Sequence, residues 1–313
     1  MKMEQALKGI PLLVALLLAG TFLGIYAVFP YMSGYGVDRD VVLHNLWFGI
    51  WWVDQGEWRY CLFVPAIVGW MIWSQREAWK GFAPEPARYG VWLPMLGAAV
   101  VFYWLGYVVG ISYVGFLSLQ LFIGALVLGF LGVTAFRRVF FPWLFLLFAY
   151  PMPFLDNMIA FPLRMVMTGV AHAVLSVMGL ANDQVGTAIV SSAKPFQGLP
   201  QGALFSIDVA DPCSGIRSLF ALLMMSALYG YFTLADGWRR GALVALAVPL
   251  ALVGNVVRIV LLVFGVLMGG NSFAIGTLES PSAFHEGVGF LVYGVALGGL
   301  VMGARMLQGK SPE

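Results

Sequence analysis

The feature that most constrains this chain is a series of long apolar runs, separated by short segments that carry charge, glycine or proline. A helix needs roughly 20 apolar residues to cross the hydrocarbon core of a bilayer. Of the 313 residues, 61% are apolar and 10% are charged, whereas soluble domains average about 45–50% and about 25%. A soluble fold is therefore excluded, and the sequence predicts a polytopic membrane protein.

Eight runs have the length and apolar content of membrane spans. The predicted spans cover residues 10–29, 60–74, 91–109, 113–133, 139–154, 214–234, 242–264 and 285–304. We therefore expect an all-α fold with about eight transmembrane helices, organised as one domain over residues 1–313. The first run is longer than the apolar part of a secretory signal and precedes no small-residue cleavage site, so it is expected to be a retained span.

The basic residues predict the orientation. With the N-terminus in the cytoplasm, eleven of the seventeen lysines and arginines fall on the cytoplasmic side, as the positive-inside rule requires. These are Lys2, Lys8, Arg76, Lys80, Arg88, Arg137, Arg138, Arg239, Arg240, Arg305 and Lys310. The net charge of +2 offers no basic surface for nucleic acid. Nucleic-acid binding is thus excluded, and the lipid bilayer is the expected surrounding.

Two connections on the predicted outer side are long. The first, 30–59, contains four tryptophans and predicts an interfacial segment at the level of the lipid headgroups. The second begins with the apolar stretch 161–180, which predicts an interfacial or re-entrant helix, with a full span as the alternative. Residues 185–190 and 204–210 then have the β-branched content or the alternation of strands, with glycines between them. We expect a small outer β-hairpin before the sixth span.

Cys213 lies at the predicted start of the sixth span. Asp211 suits the N-cap of that helix and Pro212 its first position, so the thiol faces the positive end of the helix dipole. Arg217, four residues further on, adds a second charge that favours a thiolate. The alternative is a small buried thiol that packs at a helix end.

Two further ionisable side chains lie in apolar surroundings. Arg258 is within the seventh span, where an arginine costs about 2.5–3.5 kcal/mol and so needs a partner or a function. Asn255, three residues earlier on the same helical face, is placed to brace it. His285 begins the eighth span. The alternatives are anchoring to headgroups for either residue and, for Arg258, an ion pair with Asp208 or Asp211.

In the predicted orientation, Cys213, Arg258 and His285 share the outer face. A thiolate nucleophile, a general acid/base and a guanidinium that binds an oxyanion or a carboxylate form a set suited to acyl transfer. No metal and no cofactor are expected. The three histidines, His44, His172 and His285, lie in separate segments, and the two cysteines form no zinc motif.

Three ordered motifs resemble the exosortases, integral-membrane cysteine transpeptidases of the exosortase/archaeosortase group. The motifs are Pro212-Cys213-Ser214-Gly215-Ile216-Arg217-Ser218, Asn255-Val256-Val257-Arg258 and His285-Glu286-Gly287-Val288-Gly289. Residues 51–79 and 148–154 are similar to the family's N-terminal and mid-chain regions. The resemblance implies that Cys213, Arg258 and His285 are catalytic. Residues expected to support them are Arg217, Asn255 and Ser214.

The resemblance implies a protease or transpeptidase in the bacterial inner membrane, with its active site facing the periplasm. Its substrates would be exported proteins with a C-terminal sorting tail, made of a PEP-CTERM-like motif, a transmembrane helix and a basic cluster. An acyl-thioester on Cys213 would pass to an acceptor nucleophile, by default water. Tyr60-Cys61-Leu62-Phe63 departs from a Tyr-x-His-Gly run in many members, so the exact motif, the acceptor and any role of Cys61 stay open. The alternative is a transporter or flippase for a lipid-linked sugar or anion.

Overall fold

The computed structural model describes two compact units, Met1–Met152 and Pro153–Glu313. The described residues are 17, 20–21, 24–28, 30–32, 39–41, 59–85, 89–109, 112–149, 159, 161–208, 216–277 and 280–308. Cys213, Ser214 and most of the first predicted span lie outside them. Each unit is presented by itself, and the organisation as one domain stays a prediction.

The first unit contains four α-helices among its described residues. They are α1 (Phe63–Ser74), α2 (Tyr89–Val109), α3 (Ser112–Phe130) and α4 (Gly132–Phe145). A 3-10 turn at Leu146–Ala149 extends α4. Before α1, strand β1 (Pro30–Met32) pairs antiparallel with β2 (Arg39–Val41). The connection predicted to be interfacial thus begins with a strand pair, and its four tryptophans lie outside the described residues.

Buried polar side chains join the helices of the first unit. The hydroxyl of Tyr26 donates to Ser118 Oγ at 2.6 Å, and Ser118 Oγ donates to the carbonyl of Ala99 on α2 at 2.6 Å. Gln120 of α3 and Trp143 of α4 each donate from the side chain to the other's backbone carbonyl. Such bonds hold helices together where no water competes for the polar groups.

Helix α4 begins at Gly132, seven residues before the predicted start of the fifth span. Gly132 has φ +86°, and a Cβ there would lie 2.6 Å from a neighbouring side chain, so only glycine fits this break between helices. Arg137 and Arg138 therefore lie within α4, so the predicted boundary of the fifth span at residue 139 is wrong, while the cytoplasmic location of the two arginines stays a prediction. Arg138 donates to the carbonyl of Ala78, which keeps it beside the segment that follows α1.

The second unit has four more described α-helices and three strands. They are α5 (Phe161–Val177), β3 (Asn182–Val185), β4 (Ala188–Ser191), β5 (Ser206–Asp208), α6 (Ile216–Thr233), α7 (Gly237–Ala274) and α8 (Ala283–Gln308). Within the described ranges, five helices are long and apolar enough to cross a membrane, namely α2, α3, α4 with its 3-10 extension, α7 and α8. The largely helical, multi-pass architecture is thus confirmed, while the count of eight spans and the orientation stay predictions.

The outer hairpin predicted from the sequence is instead a three-stranded antiparallel sheet in the order β3-β4-β5. Gly186, with φ +62°, begins a two-residue turn inside the predicted strand 185–190, which is therefore divided between β3 and β4. A β-branched run looks like one strand even when a glycine turn divides it. The second predicted strand, 204–210, contains β5, which pairs with β4. Gly198 and Gly202, with φ +67° and +80°, lie in the connection between them.

Helix α7 organises the second unit. It has 38 residues, and its continuous helical part up to Gly270 is roughly 50 Å long, well beyond the thickness of a hydrocarbon core. Its first half packs against α6 and α8 through residues such as Leu243 and Ala247. Its second half packs against α5 and the sheet through residues such as Ile259 and Leu262. Arg258 lies where these two packing surfaces meet.

Candidate active site

A tight turn between α7 and α8 determines where α8 begins. Gly276 has φ +81°, and a Cβ there would lie 2.5 Å from the Ser280 carbonyl oxygen and from the Ser282 nitrogen, so no side chain fits. Ser282 Oγ accepts a hydrogen bond from the backbone N–H of His285 at 3.0 Å, in the manner of an N-cap. His285 therefore occupies the first turn of α8, as predicted for the start of the eighth span.

The side chain of His285 meets Arg258 between α7 and α8. Nη2 of Arg258 lies 2.8 Å from Nε2 of His285, and His285 is only 4% exposed. A guanidinium offers N–H donors and no acceptor, so Arg258 donates and Nε2 accepts. The imidazole in this pair is therefore neutral, with its proton on Nδ1.

Two glycines allow the close approach of α7 and α8 at this point. A Cβ on Gly289 of α8 would lie 3.4 Å from Nη2 of Arg258 and 3.5 Å from its Cζ. A Cβ on Gly265 of α7 would lie 2.4 Å from the ring of Phe284, the residue before His285. The missing side chains let the guanidinium and the phenyl ring lie directly on the opposite helix, and this packing brings His285 opposite Arg258.

A small cavity lies beside Arg258. It is lined by residues of α6, α7 and α8 and has a volume of about 20 Å³, enough for about one water molecule. Ser218 of α6, Asn255 of α7 and Tyr293 of α8 are among its lining residues, which are otherwise mostly apolar. Nε of Arg258 is buried and has no hydrogen-bond partner among the described residues. Buried donors are normally satisfied, so an unused donor on a residue that lines a cavity marks a position for a ligand atom or a water.

The structure thus brings together two of the three residues predicted to be catalytic. Arg258 and His285 are in direct contact. Cys213 and Ser214 lie outside the described residues, and α6 begins at Ile216, three residues after the cysteine. Arg217 lies in the first turn of that helix.

Asn255, predicted to brace Arg258, is 3% exposed and lines the same cavity. Its Nδ2 donates to Sδ of Met167 at 3.1 Å, so it also joins α7 to α5. The alternative ion pair between Arg258 and Asp208 is not the arrangement seen. In the described part of the chain Arg258 bonds to His285, and Asp208 accepts a hydrogen bond from Thr187 Oγ1 at 2.9 Å.

Two residues with no role predicted from the sequence, Ser218 and Tyr293, line the cavity. Tyr293 lies eight residues after His285 and four after Gly289, so all three share one face of α8. That helical spacing was the available signal for Tyr293. Ser218 lies five residues after Cys213, within the motif that the cysteine defines.

Comparison with known proteins gives one match. A sequence model of a family described as transmembrane exosortase (Exosortase_EpsH) matches residues 51–302. This range is most of the chain and contains Cys213, Arg258 and His285. Comparisons with curated proteins and with solved structures found no match.

Proposed function

Because the chain belongs to the transmembrane exosortase family, we propose that it is a membrane-embedded cysteine protease or transpeptidase that cleaves C-terminal sorting tails. The tails consist of a PEP-CTERM-like motif, a transmembrane helix and a basic cluster. Cleavage takes place at the periplasmic face of a bacterial inner membrane, and the processed protein passes to an acceptor nucleophile. The observation that carries the proposal is the pair of Arg258 and His285, buried between α7 and α8.

The direction of these side chains supports a chemical role over an anchoring one. Arginine or histidine that anchors a helix extends its polar end to the lipid headgroups. Here the guanidinium and the imidazole are directed at each other across a helix interface, beside a small cavity. An arginine inside a span is costly, which fits a functional group better than an incidental one.

In the proposed reaction, each residue acts on one part of the scissile peptide bond. The thiolate of Cys213 attacks the carbonyl carbon and forms a tetrahedral intermediate. Arg258 stabilises its oxyanion or binds a carboxylate of the sorting motif. His285 protonates the leaving amine, and the acyl-thioester is then attacked by the acceptor, by default water.

The direct test is co-expression with an exported protein that carries such a tail. We expect Cys213→Ala and Cys213→Ser to insert normally and to leave the tail uncleaved, because a hydroxyl lacks the nucleophilicity of a thiolate. Cys61→Ala is the matched control, since Cys61 is a fully buried cysteine of the first unit, and it should retain processing. Cleavage by Cys213→Ala at the wild-type rate would contradict a thiol mechanism. Transport of a lipid-linked sugar that survives in Cys213→Ala would favour a flippase.

The proposed location depends on topology. We expect residues 185–211 and 268–284 outside the cell, and 76–88 and 236–240 inside. On a background without native cysteines, Phe196→Cys should react with a membrane-impermeant maleimide added from outside, because Phe196 is fully exposed in the connection between β4 and β5. Lys80→Cys should react only from inside. Labelling of position 196 from the cytoplasm alone would place the site in the wrong compartment.

A further inference from the structure

The charges of helix α8 indicate where the bilayer ends. Glu286, next to His285, and Arg305 are both exposed, and no residue between these two is charged. They are nineteen positions apart, which is roughly 28 Å of helix. A hydrocarbon core is about 30 Å thick, and a charged side chain inside it is costly. The two charges therefore mark the two boundaries of the core, and His285 lies at one of them.

Helix α7 gives the same distance. Arg239 contacts Gln308 at one end of α8 and Arg258 contacts His285 at the other, so the two helices lie side by side over this length. Arg239 and Arg258 are nineteen positions apart, again roughly 28 Å of helix, with no charged residue between them. The continuation of α7 from Arg258 to Gly270, roughly 18 Å, extends beyond this length.

The exposure of α7 changes at Arg258. Before this residue, the apolar side chains of Val248, Val253 and Val257 are exposed, as on a helix surface that faces lipid. None of residues 259–266 is exposed, and most of them pack in one apolar cluster with α5 and the sheet. A helix that leaves the lipid must cover its apolar side chains with protein, because water would otherwise contact them. The change in exposure thus supports a boundary at Arg258.

The sheet provides an independent marker of the boundary. Open sheet edges do not occur in contact with hydrocarbon, and an exposed carboxylate is costly there. Oγ1 of Thr168 on α5 lies 3.2 Å from the carbonyl oxygen of Thr187, between β3 and β4, and Thr187 donates to the exposed Asp208. The residue before Thr168 accepts a hydrogen bond from Asn255, three residues before Arg258. The sheet, which must lie outside the hydrocarbon, therefore begins close to the level of Arg258.

We propose that Arg258 and His285 lie at the outer boundary of the hydrocarbon core, and that the enzyme selects a peptide bond by its distance from that boundary. The inference rests on the proposed function, because it takes the substrate to carry a transmembrane helix after the scissile bond. Enzyme and substrate share one bilayer, so the substrate helix leaves the hydrocarbon at the level of the pair. A bond close to the end of that helix reaches Arg258 and His285, whereas a bond held further out does not. This distance is thus a determinant of specificity in addition to the sequence of the sorting motif.

Spin labels measure the depth of each helix without a substrate. Val295→Cys on α8 and Met268→Cys on α7 change two exposed residues, on a background without native cysteines, in vesicles of phosphatidylethanolamine and phosphatidylglycerol. Val295 is midway between Glu286 and Arg305, so its label should collide with oxygen and be protected from a water-soluble nickel chelate. Met268 is ten positions beyond Arg258, roughly 15 Å, and its label should have the opposite preference. A preference for oxygen at both positions would place the pair inside the hydrocarbon and overturn the inference.

Substrate variants test the selection by distance. Six prolines inserted between the sorting motif and the transmembrane helix form an extended rod that holds the motif roughly 19 Å further from the membrane. We expect the rate of processing to fall by about 100-fold or more, because the bond no longer reaches the pair. A glycine-serine spacer of the same length folds back, and its rate should stay within about tenfold of the original. Six prolines placed before the motif are the control for proline itself and should have no effect.

The two proposals fail in different ways. Equal rates for the proline and the glycine-serine spacers would overturn the selection by distance and leave the proposed function intact. A complete absence of processing, even of the original tail, would remove the proposed function and the selection with it. The spin-label result depends on neither assay, because it reports only where α7 and α8 leave the hydrocarbon.

Discussion

Helix α7 carries arginines in its first turn and near its middle, and these arginines have different partners. In its first turn, Arg239 donates to the carbonyl of Gln308 at 3.1 Å and Arg240 to the carbonyl of Leu234 at 2.8 Å. These carbonyls lie at the ends of α8 and α6, where the helix leaves them without partners. Arg239 also forms an ion pair with Asp236 at 3.0 Å. Arg258 instead donates to the uncharged imidazole of His285, and no carboxylate pairs with it among the described residues.

The difference distinguishes Arg239 and Arg240, which bind carbonyl groups at helix ends, from Arg258, which has an N–H donor without a partner among the described residues. Carbonyl capping at a helix end needs a cation within reach and no particular shape, because the acceptor is a single oxygen. Binding of a substrate oxyanion or carboxylate in the protein interior needs the planar fork of a guanidinium. The same conservative substitution should therefore have different consequences in the first turn of α7 and at Arg258.

The largest expected effect is on the rate of tail processing when lysine replaces Arg258, compared with lysine in place of Arg240. Arg258→Lys should lower the rate of tail processing by about 100- to 1,000-fold, the range seen when one oxyanion donor is lost. Arg240→Lys should process at close to the wild-type rate, because an ammonium still reaches the carbonyl of Leu234. The measurement is the rate of conversion of a co-expressed substrate, corrected for the amount of inserted enzyme.

Arg258→Ala provides the control for folding. Removal of a costly charge from a span should leave insertion unchanged or improved. Near-normal processing by Arg258→Lys, or loss of the folded protein in Arg258→Ala, would mean that Arg258 has a structural role, as Arg239 and Arg240 do.

A second prediction concerns the space that the guanidinium occupies. In Gly289→Ala the new Cβ makes ordinary contact with Arg258, so processing should change little. Gly289→Val adds methyl groups that push the guanidinium away, and a displacement of about 1 Å costs on the order of 100-fold in rate. The matched control is Gly287→Val on the same helix, where a Cβ would have no neighbour within 4 Å.

The measurement is the rate of tail processing for the wild type, Gly289→Ala, Gly289→Val and Gly287→Val. A loss of activity that is equal in Gly287→Val and Gly289→Val would attribute the effect to β-branching in the helix. The contact between position 289 and Arg258 would then have no special importance.

Apolar runs located the long helices well, because a span is defined by its own composition. The predicted span 91–109 corresponds to α2, and 285–304 lies within α8. The prediction failed where one residue sets the boundary. Gly132 divides a continuous apolar stretch, and Gly186 divides a β-branched one, so neither break is visible in the average of a window.

The sequence could identify residues of the candidate site but could not predict the contacts between them. Arg258 and His285 stand out as ionisable groups in apolar surroundings, and this alone marks them as candidates. Their contact depends on the register of α7 against α8, which is set by the close packing at Gly265 and Gly289. A tyrosine in a span resembles ordinary packing, so the place of Tyr293 at the cavity emerged only from the structure.

The smallest expected effect tests a cap that serves the fold and the site together. Ser282→Ala removes the acceptor for the His285 N–H, and loss of an N-cap costs about 1 kcal/mol. We expect a melting temperature lower by roughly 2–4 °C and a rate lower by at most about fivefold. Ser282→Asn restores the acceptor and should recover both values. The control is Ser272→Ala, since Ser272 is exposed near the end of α7. A loss as large as that of Arg258→Lys would mean that the cap, rather than the helix packing, holds His285 in place, and that the turn between α7 and α8 belongs to the functional site.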